Sequence, residues 1–188
     1  WLGQEAYSDR PWRKVWTLDD CHLPLLERLA ELGMLSDLRL QRANGGCVVH
    51  AAVPDLTHRE FLTGHWLEYY AYTVACSLEH EGSPLFDSAA HSLRMQSSDS
   101  EREIDFIGLR GSIPLIASCK TSAREPWNKS ALDEVVTVGK NLGDNYCTKL
   151  YITSQSAPHP AEHAYAALLQ FREQAHNAKV VVVTGDEL

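Results

Sequence analysis

"IDFIGLRGSIPLIASCKTS", residues 104–122, decides how this chain is read. Ile113, Leu115, Ile116 and Ala117 form an apolar run of strand length, and the turn around "RGS" joins it to a preceding strand over residues 103–109. Ser118, Cys119 and Lys120 follow that run with no turn residue between them. A lysine at the end of a buried strand is seldom placed there for packing, because lysine is almost never fully buried without a partner.

Working outward, residues 90–95 read as a third strand, and a helix is expected from about Ser130 to Leu142, with Ala131, Val135, Gly139 and Leu142 facing inward. "TKLYITS" reads as a strand, "AEHAYAALLQFREQAHN" as a helix and "KVVVVTG" as a final strand. On the N-terminal side, "EHEGSPLFDSA" is expected to be a loop. Before it, the helix "FLTGHWLEYYAYTVACSL" is introduced by "LTHREF", where Thr57 and Glu60 make a capping box and Leu56 with Phe61 a hydrophobic staple. Leu67, Tyr70, Ala71, Val74 and Leu78 are assigned to its buried face, with Glu68 beside that face. From residue 57 the order is α-β-β-β-α-β-α-β, a mixed α/β domain.

Residues 1–56 read as a separate, smaller segment. Trp1, Trp12 and Trp16 with Pro11 suit an irregular arm, Leu18 to Leu32 has helical spacing with Gly33 as its cap, and "NGG" joins two strands into a hairpin. A helix plus a hairpin resembles the wing of a winged-helix module. The chain begins at Trp1, which suggests a piece excised from something longer.

The composition bounds the function. A chain of 188 residues that is 44% hydrophobic can build a real core. No run approaches the ~18 apolar residues of a membrane span, and no basic-then-apolar signal opens the chain. Five dispersed cysteines without a C-x-x-C pair suit a reduced, cytoplasmic protein. A net charge of -8 argues against a generic nucleic-acid coat, yet leaves room for a local basic groove.

The chemistry gathers on adjacent strands. A carboxylate at Asp105 and a lysine at Lys120 project to one side if their offsets match in parity. Carboxylates around a small space bind hard cations such as Mg2+, and a neighbouring lysine can orient or deprotonate the water that attacks a phosphodiester.

Here the residues resemble the PD-(D/E)xK nucleases, whose restriction-endonuclease-like core is an αβββαβ unit with a mixed sheet. That family carries a glutamate on the first helix, an aspartate on the second strand and acid-x-lysine on the third; Glu68, Asp105 and Lys120 match those places. "HWLEYYAYTVACSL", "EIDFIGL" and "LIASCKTS" are further similar to the nuclease part of CARF-domain effectors of type III CRISPR systems, which cyclic oligoadenylates activate to cut nucleic acid. The resemblance implies residues 57–188 as the nuclease domain, preceded by the winged-helix-like segment. It also implies Mg2+ or Mn2+ as cofactor, DNA or RNA as substrate and a homodimer, with cyclic oligoadenylate acting only through an N-terminal sensor that has no counterpart here.

One position departs from the pattern. Ser118 stands where the family has a metal-binding glutamate, and serine is a poor replacement. One group of restriction enzymes in the same superfamily carries Ser-x-Lys and takes its acid from the following helix, and Glu134 lies fourteen residues after Lys120. The expected site is therefore Glu68, Asp105, Glu134 and Lys120, with the Cys119 backbone carbonyl as a further oxygen ligand and Glu103 and Ser118 in secondary positions. Arg124, Lys129 and Lys140 are expected to touch phosphates and Trp127 to stack on a base.

Each assignment has a plainer competitor. Asp105 pairs with Arg94 or caps a strand, Glu68 and Glu103 are solvated charges, Glu134 is one of many helix glutamates, and Trp127 is a hydrophobic anchor. His159 and His163 read as surface residues, His58 and His65 as packing or solvent-exposed residues, and the cysteines as small hydrophobes. The alternative function is a nuclease fold that lost its chemistry through Ser118 and serves as a nucleic-acid-binding or assembly module.

Overall fold

The computed structural model describes residues 12–18, 23–43, 46–96, 101–122 and 127–188. Two compact units divide between Thr63 and Gly64. Arg124 and the first eleven residues, assigned above to a phosphate contact and to the arm, lie outside the described residues.

The N-terminal unit has three antiparallel strands in the order β1-β3-β2: β1 (Trp12–Leu18), β2 (Ser36–Ala43) and β3 (Gly46–Val53). Strand β1 corrects the expected irregular arm through Trp16 and takes Leu18 out of the helix assigned to it. Helix α1 is accordingly shorter (Leu23–Glu31), with Pro24 in the first turn, where its missing N–H costs nothing. Gly33 ends it as expected, at φ +75°, with Met34 N–H donating back to the Leu29 carbonyl. Leu26, Leu29 and Ala30 pack onto Leu35, Ala51 and Val53.

Helix α2 (Leu56–Glu60) runs through a π-helical stretch, Phe61–His65, into α3 (Trp66–Ser77). Its cap is Asp55, whose carboxylate accepts the His58 N–H, and not Thr57. Leu56 is half-exposed, so the expected capping box and staple are both displaced by the residue that follows Pro54.

The C-terminal unit is built on a five-stranded mixed sheet in the order β10-β9-β8-β7-β6. Strands β6 (Ser88–Gln96), β7 (Glu101–Arg110) and β8 (Ile113–Lys120) form an antiparallel meander. Helix α4 (Lys129–Leu142) then crosses to β9 (Thr148–Thr153), parallel to β8, and α5 (His163–Asn177) to β10 (Val180–Val183), parallel to β9. The expected loop after α3 contains a small hairpin, β4 (Glu79–His80) and β5 (Ser83–Pro84), around Glu81 and Gly82 at φ +54° and +75°.

The pleat sends alternate residues to two cores. Ile116 and Tyr151 meet Leu132, Val135 and Val138 of α4 and Phe171 of α5 on one face. Ala117, Cys119 and Ile152 meet Leu67 and Ala75 of α3 on the other. Leu67, Glu68 and Ala75 are the buried residues of α3, whereas Tyr70, Val74 and Leu78, assigned to its inner face, are exposed. Among the described residues no helix is long and apolar enough to cross a membrane.

Candidate active site at the fork between β7 and β8

The β7–β8 ladder runs from Arg110↔Ile113 to Phe106↔Ala117 and stops there. Ser118, Cys119 and Lys120 continue in register with β9 alone, opposite Tyr151, Ile152 and Thr153. Where β7 leaves, the Cys119 N–H would be orphaned. It donates instead to Asp105 Oδ2 at 2.6 Å. Lys120 Nζ reaches the same oxygen at 3.5 Å and Ser118 Oγ at 3.4 Å. In an extended chain a residue's N–H and C=O leave by the same strand edge, so the Cys119 carbonyl also faces the fork.

Asp105 stands at an irregular point of its own strand. Ile104 joins the core under α4 and Phe106 the core under α3, although residues two apart on a regular strand share a face. On the other side, His91↔Phe106 and Leu93↔Ile104 pair, but the intervening rung of Ser92 and Asp105 is skipped. Ser92 holds φ +49°, a left-handed conformation that serine rarely takes within a strand.

Glu68 comes from α3. It is 8% exposed, and its Oε2 accepts the Ser92 hydroxyl at 2.7 Å. Burial pushes its carboxyl above the ordinary glutamate value, the Asp105 and Glu103 charges push it further, and the Ser92 hydrogen bond and His65 oppose them. The three carboxylates therefore act on one another across the site.

A cleft on the α4 side is lined by Glu103, Asp105, Ser118 and Glu134 above Ile116, Val135 and Val138. It brings the helix glutamate to the same space as the strand carboxylate. Val135 and Val138 anchor α4 in the core, and Glu134, next in sequence to Val135, stays exposed at the cleft wall. Glu103 is exposed and lies opposite Arg94 in the β6–β7 ladder, so Arg94 is registered with Glu103 and not with Asp105.

Lys129, Lys140 and Trp127 are not among the residues that line this cleft. Lys129 opens α4 and Lys140 lies in its last turn, about 16 Å apart by helix rise. Trp127 is partly buried against the core, its ring 6.0 Å from that of Phe171. Cys119 is buried, and burial together with the Asp105 and Glu68 charges raises its thiol well above the usual range, which disables it as a nucleophile. Ser92 was not anticipated: nothing in "AAHSLRMQ" announces a left-handed residue, for which glycine or asparagine would be the signal.

Among the described residues no three His, Cys, Asp or Glu side chains stand close enough to form a ready-made metal cage. The donors nevertheless suit a hard divalent cation, which commonly keeps several waters and takes one or two carboxylates. Burial first, and then the Asp105 and Glu103 charges, raise the Glu68 carboxyl, a cost that either a proton or nearby positive charge would relieve.

The fold is that of a mixed α/β protein whose antiparallel meander opens into parallel strands at a cluster of acids and one lysine. The sequence matches no protein-family model and no curated protein. Among solved structures, protein VC1899 from Vibrio cholerae is similar over 92% of this chain and 43% of its own, with a TM-score of 0.61 and 18% identity. Can2 from Sulfobacillus thermosulfidooxidans, solved in complex with cyclic tetra-adenylate, is similar over 89% of this chain and 43% of its own, with a TM-score of 0.57 and 14% identity. At these identities the likeness is one of fold, and the chain spans less than half the length of either protein.

Proposed function

We propose that this chain is a Mg2+- or Mn2+-dependent endonuclease domain of the PD-(D/E)xK type that hydrolyses phosphodiester bonds in DNA or RNA. The observation that carries the reading is the fork: one Asp105 oxygen gathers the Cys119 N–H and Lys120 Nζ at the point where β7 and β8 part. Glu68 and Glu134 reach the same region from two different helices.

Asp105 and Glu134 would hold the cation, with the Cys119 carbonyl as a neutral oxygen donor and Glu68 as a further carboxylate of the site. A bound Mg2+ or Mn2+ supplies Lewis-acid charge next to the phosphate. Lys120, partly exposed and already facing the carboxylate, orients the attacking water and steadies charge developing on the phosphoryl oxygens. The Cys119 N–H pins Asp105, so the carboxylate is placed before substrate arrives.

The fold shared with Can2 supports a place in a CRISPR-associated effector. In this reading the chain is the cutting portion of a longer protein, a cyclic oligoadenylate is sensed outside it, and two copies cut as a homodimer. The test is cleavage of supercoiled plasmid, single-stranded RNA and single-stranded DNA with Mn2+, Mg2+ or EDTA, using this chain and the full-length protein with candidate cyclic oligonucleotides. Metal-dependent cutting supports the reading. Nucleic-acid binding by the activated full-length protein with no cutting in either metal overturns it in favour of a binding or assembly module.

A further inference from the structure

Ser92 combines three observations that no packing role requires. It is a non-glycine residue at φ +49° in the middle of a nine-residue strand. The ladder rung that would pair it with Asp105 is absent, although the rungs on both sides are formed. Its hydroxyl donates to Glu68 at 2.7 Å, an ordinary O–H···O spacing that also suits a carboxylate acceptor.

From this geometry we infer that Ser92 is a positioning residue: its left-handed backbone turns the hydroxyl out of the ladder to hold the Glu68 carboxylate for the cation. His91 completes the arrangement. A serine hydroxyl has one proton, and here it goes to Glu68, so the contact of 3.1 Å between His91 Nδ1 and Ser92 Oγ requires His91 to donate from Nδ1. The Tyr69 and Tyr72 rings pack against the imidazole, with centroids 5.7 and 5.1 Å away, and fix its plane. The chain Tyr69/Tyr72–His91–Ser92–Glu68 thus carries order from the outer surface of α3 and β6 to a buried carboxylate. Backbone held in a sparsely populated conformation beside reactive groups is a recurrent way of placing them in advance. Outer partners of this kind orient metal-binding carboxylates.

The inference rests on the nuclease reading, and the experiment separates the two. Mn2+ binding is followed by titration calorimetry, and thermal unfolding without metal, for the wild-type chain, Ser92→Gly and Ser92→Asn. Glycine removes the hydroxyl and suits φ > 0, so the Ser92→Gly variant is expected to melt at or above the wild-type temperature while its Mn2+ affinity falls about tenfold or more. Asparagine tolerates the left-handed region and brings back a donor, so Ser92→Asn is expected to regain most of that affinity. Unchanged affinity in Ser92→Gly overturns the role of Ser92 and leaves the nuclease reading standing. Loss of both affinity and melting temperature in Ser92→Gly makes the residue structural and overturns the inference equally. Absence of Mn2+ uptake by the wild-type chain overturns the nuclease reading, and the role of Ser92 with it.

Discussion

The Cys119 N–H, two residues beyond the last rung of the β7–β8 ladder, donates at 2.6 Å to the carboxylate of Asp105, one residue beyond that rung on the other strand. A side-chain oxygen there takes the place of a main-chain carbonyl. The strands can separate without leaving a buried donor unpaired, and the separation opens the space in which the acids meet.

Removing the lysine tests the chemistry of that space. The Lys120–Asp105 pair spans 3.5 Å with the lysine about a third exposed, so Lys120→Ala is expected to cost less than about 1 kcal/mol of stability. Metal-dependent cleavage is expected to fall by roughly a hundredfold or more. Single-turnover cleavage beside thermal unfolding checks both halves. Full activity in Lys120→Ala would refute the assigned role.

Glu134 is tested against its neighbour. Both Glu134 and Asp133 are exposed residues of α4, but only Glu134 lines the cleft with Asp105. Glu134→Ala is expected to abolish Mn2+-dependent cleavage and Asp133→Ala to leave it within about twofold. The double variant Ser118→Glu/Glu134→Ala, which puts an acid back on the strand, is expected to recover measurable cutting. Glu134→Ala with wild-type cleavage would show that the acid had not moved to the helix.

The charge on Glu68 gives a pH signature. Its carboxyl is raised in the fold, so the stability of the neutral form is fully present below the ordinary value of 4.5 and is lost as pH rises through the raised folded value. Glu68→Gln keeps a neutral group at every pH. At pH 7 without metal this variant is expected to be more stable and to melt higher than the wild type, and near pH 4 the difference should vanish. Equal melting temperatures at pH 7 would contradict the raised carboxyl.

Gly139 reverses an ordinary rule. Glycine to alanine inside a helix usually stabilises, but a methyl group here would come 2.5 Å from Lys149 Cδ and 2.9 Å from its Cγ. Lys149 is buried, with Nζ donating to the Asp144 carbonyl at 3.2 Å. Gly139→Ala is therefore expected to destabilise by about 1–3 kcal/mol, measured by urea unfolding.

Much of this was legible in the chain itself. The apolar runs, the "RGS" turn and the spacing from Asp105 to Lys120 placed β7, β8 and α4 within a residue or two, because buried strands and a regular crossover helix leave strong periodic signals. The inner face of α3 was legible in part: Leu67 and Ala71, with Glu68 beside them, are where the sequence puts them, and Ala75 completes the face. Tyr70, Val74 and Leu78 looked like its apolar stripe, but the helix packs on the sheet through Leu67, Ala71 and Ala75 with Glu68 alongside, where small side chains permit close approach. Thr57 reads as the cap of this helix from sequence, and the folded backbone instead gives that place to Asp55. The conformation of Ser92 is a property of three elements at once, and composition holds no trace of it.

Ser92 also shapes what the molecule does in a crowd. Among the described residues strand β6 is one of the two edge strands of its sheet, and the main-chain groups along such an edge are a template for a strand from another molecule. A left-handed residue halfway along β6 breaks the straight line of donors and acceptors that such an addition needs. Replacing it with valine, which favours an extended backbone, would complete that line over nine residues and make the edge an aggregation seed.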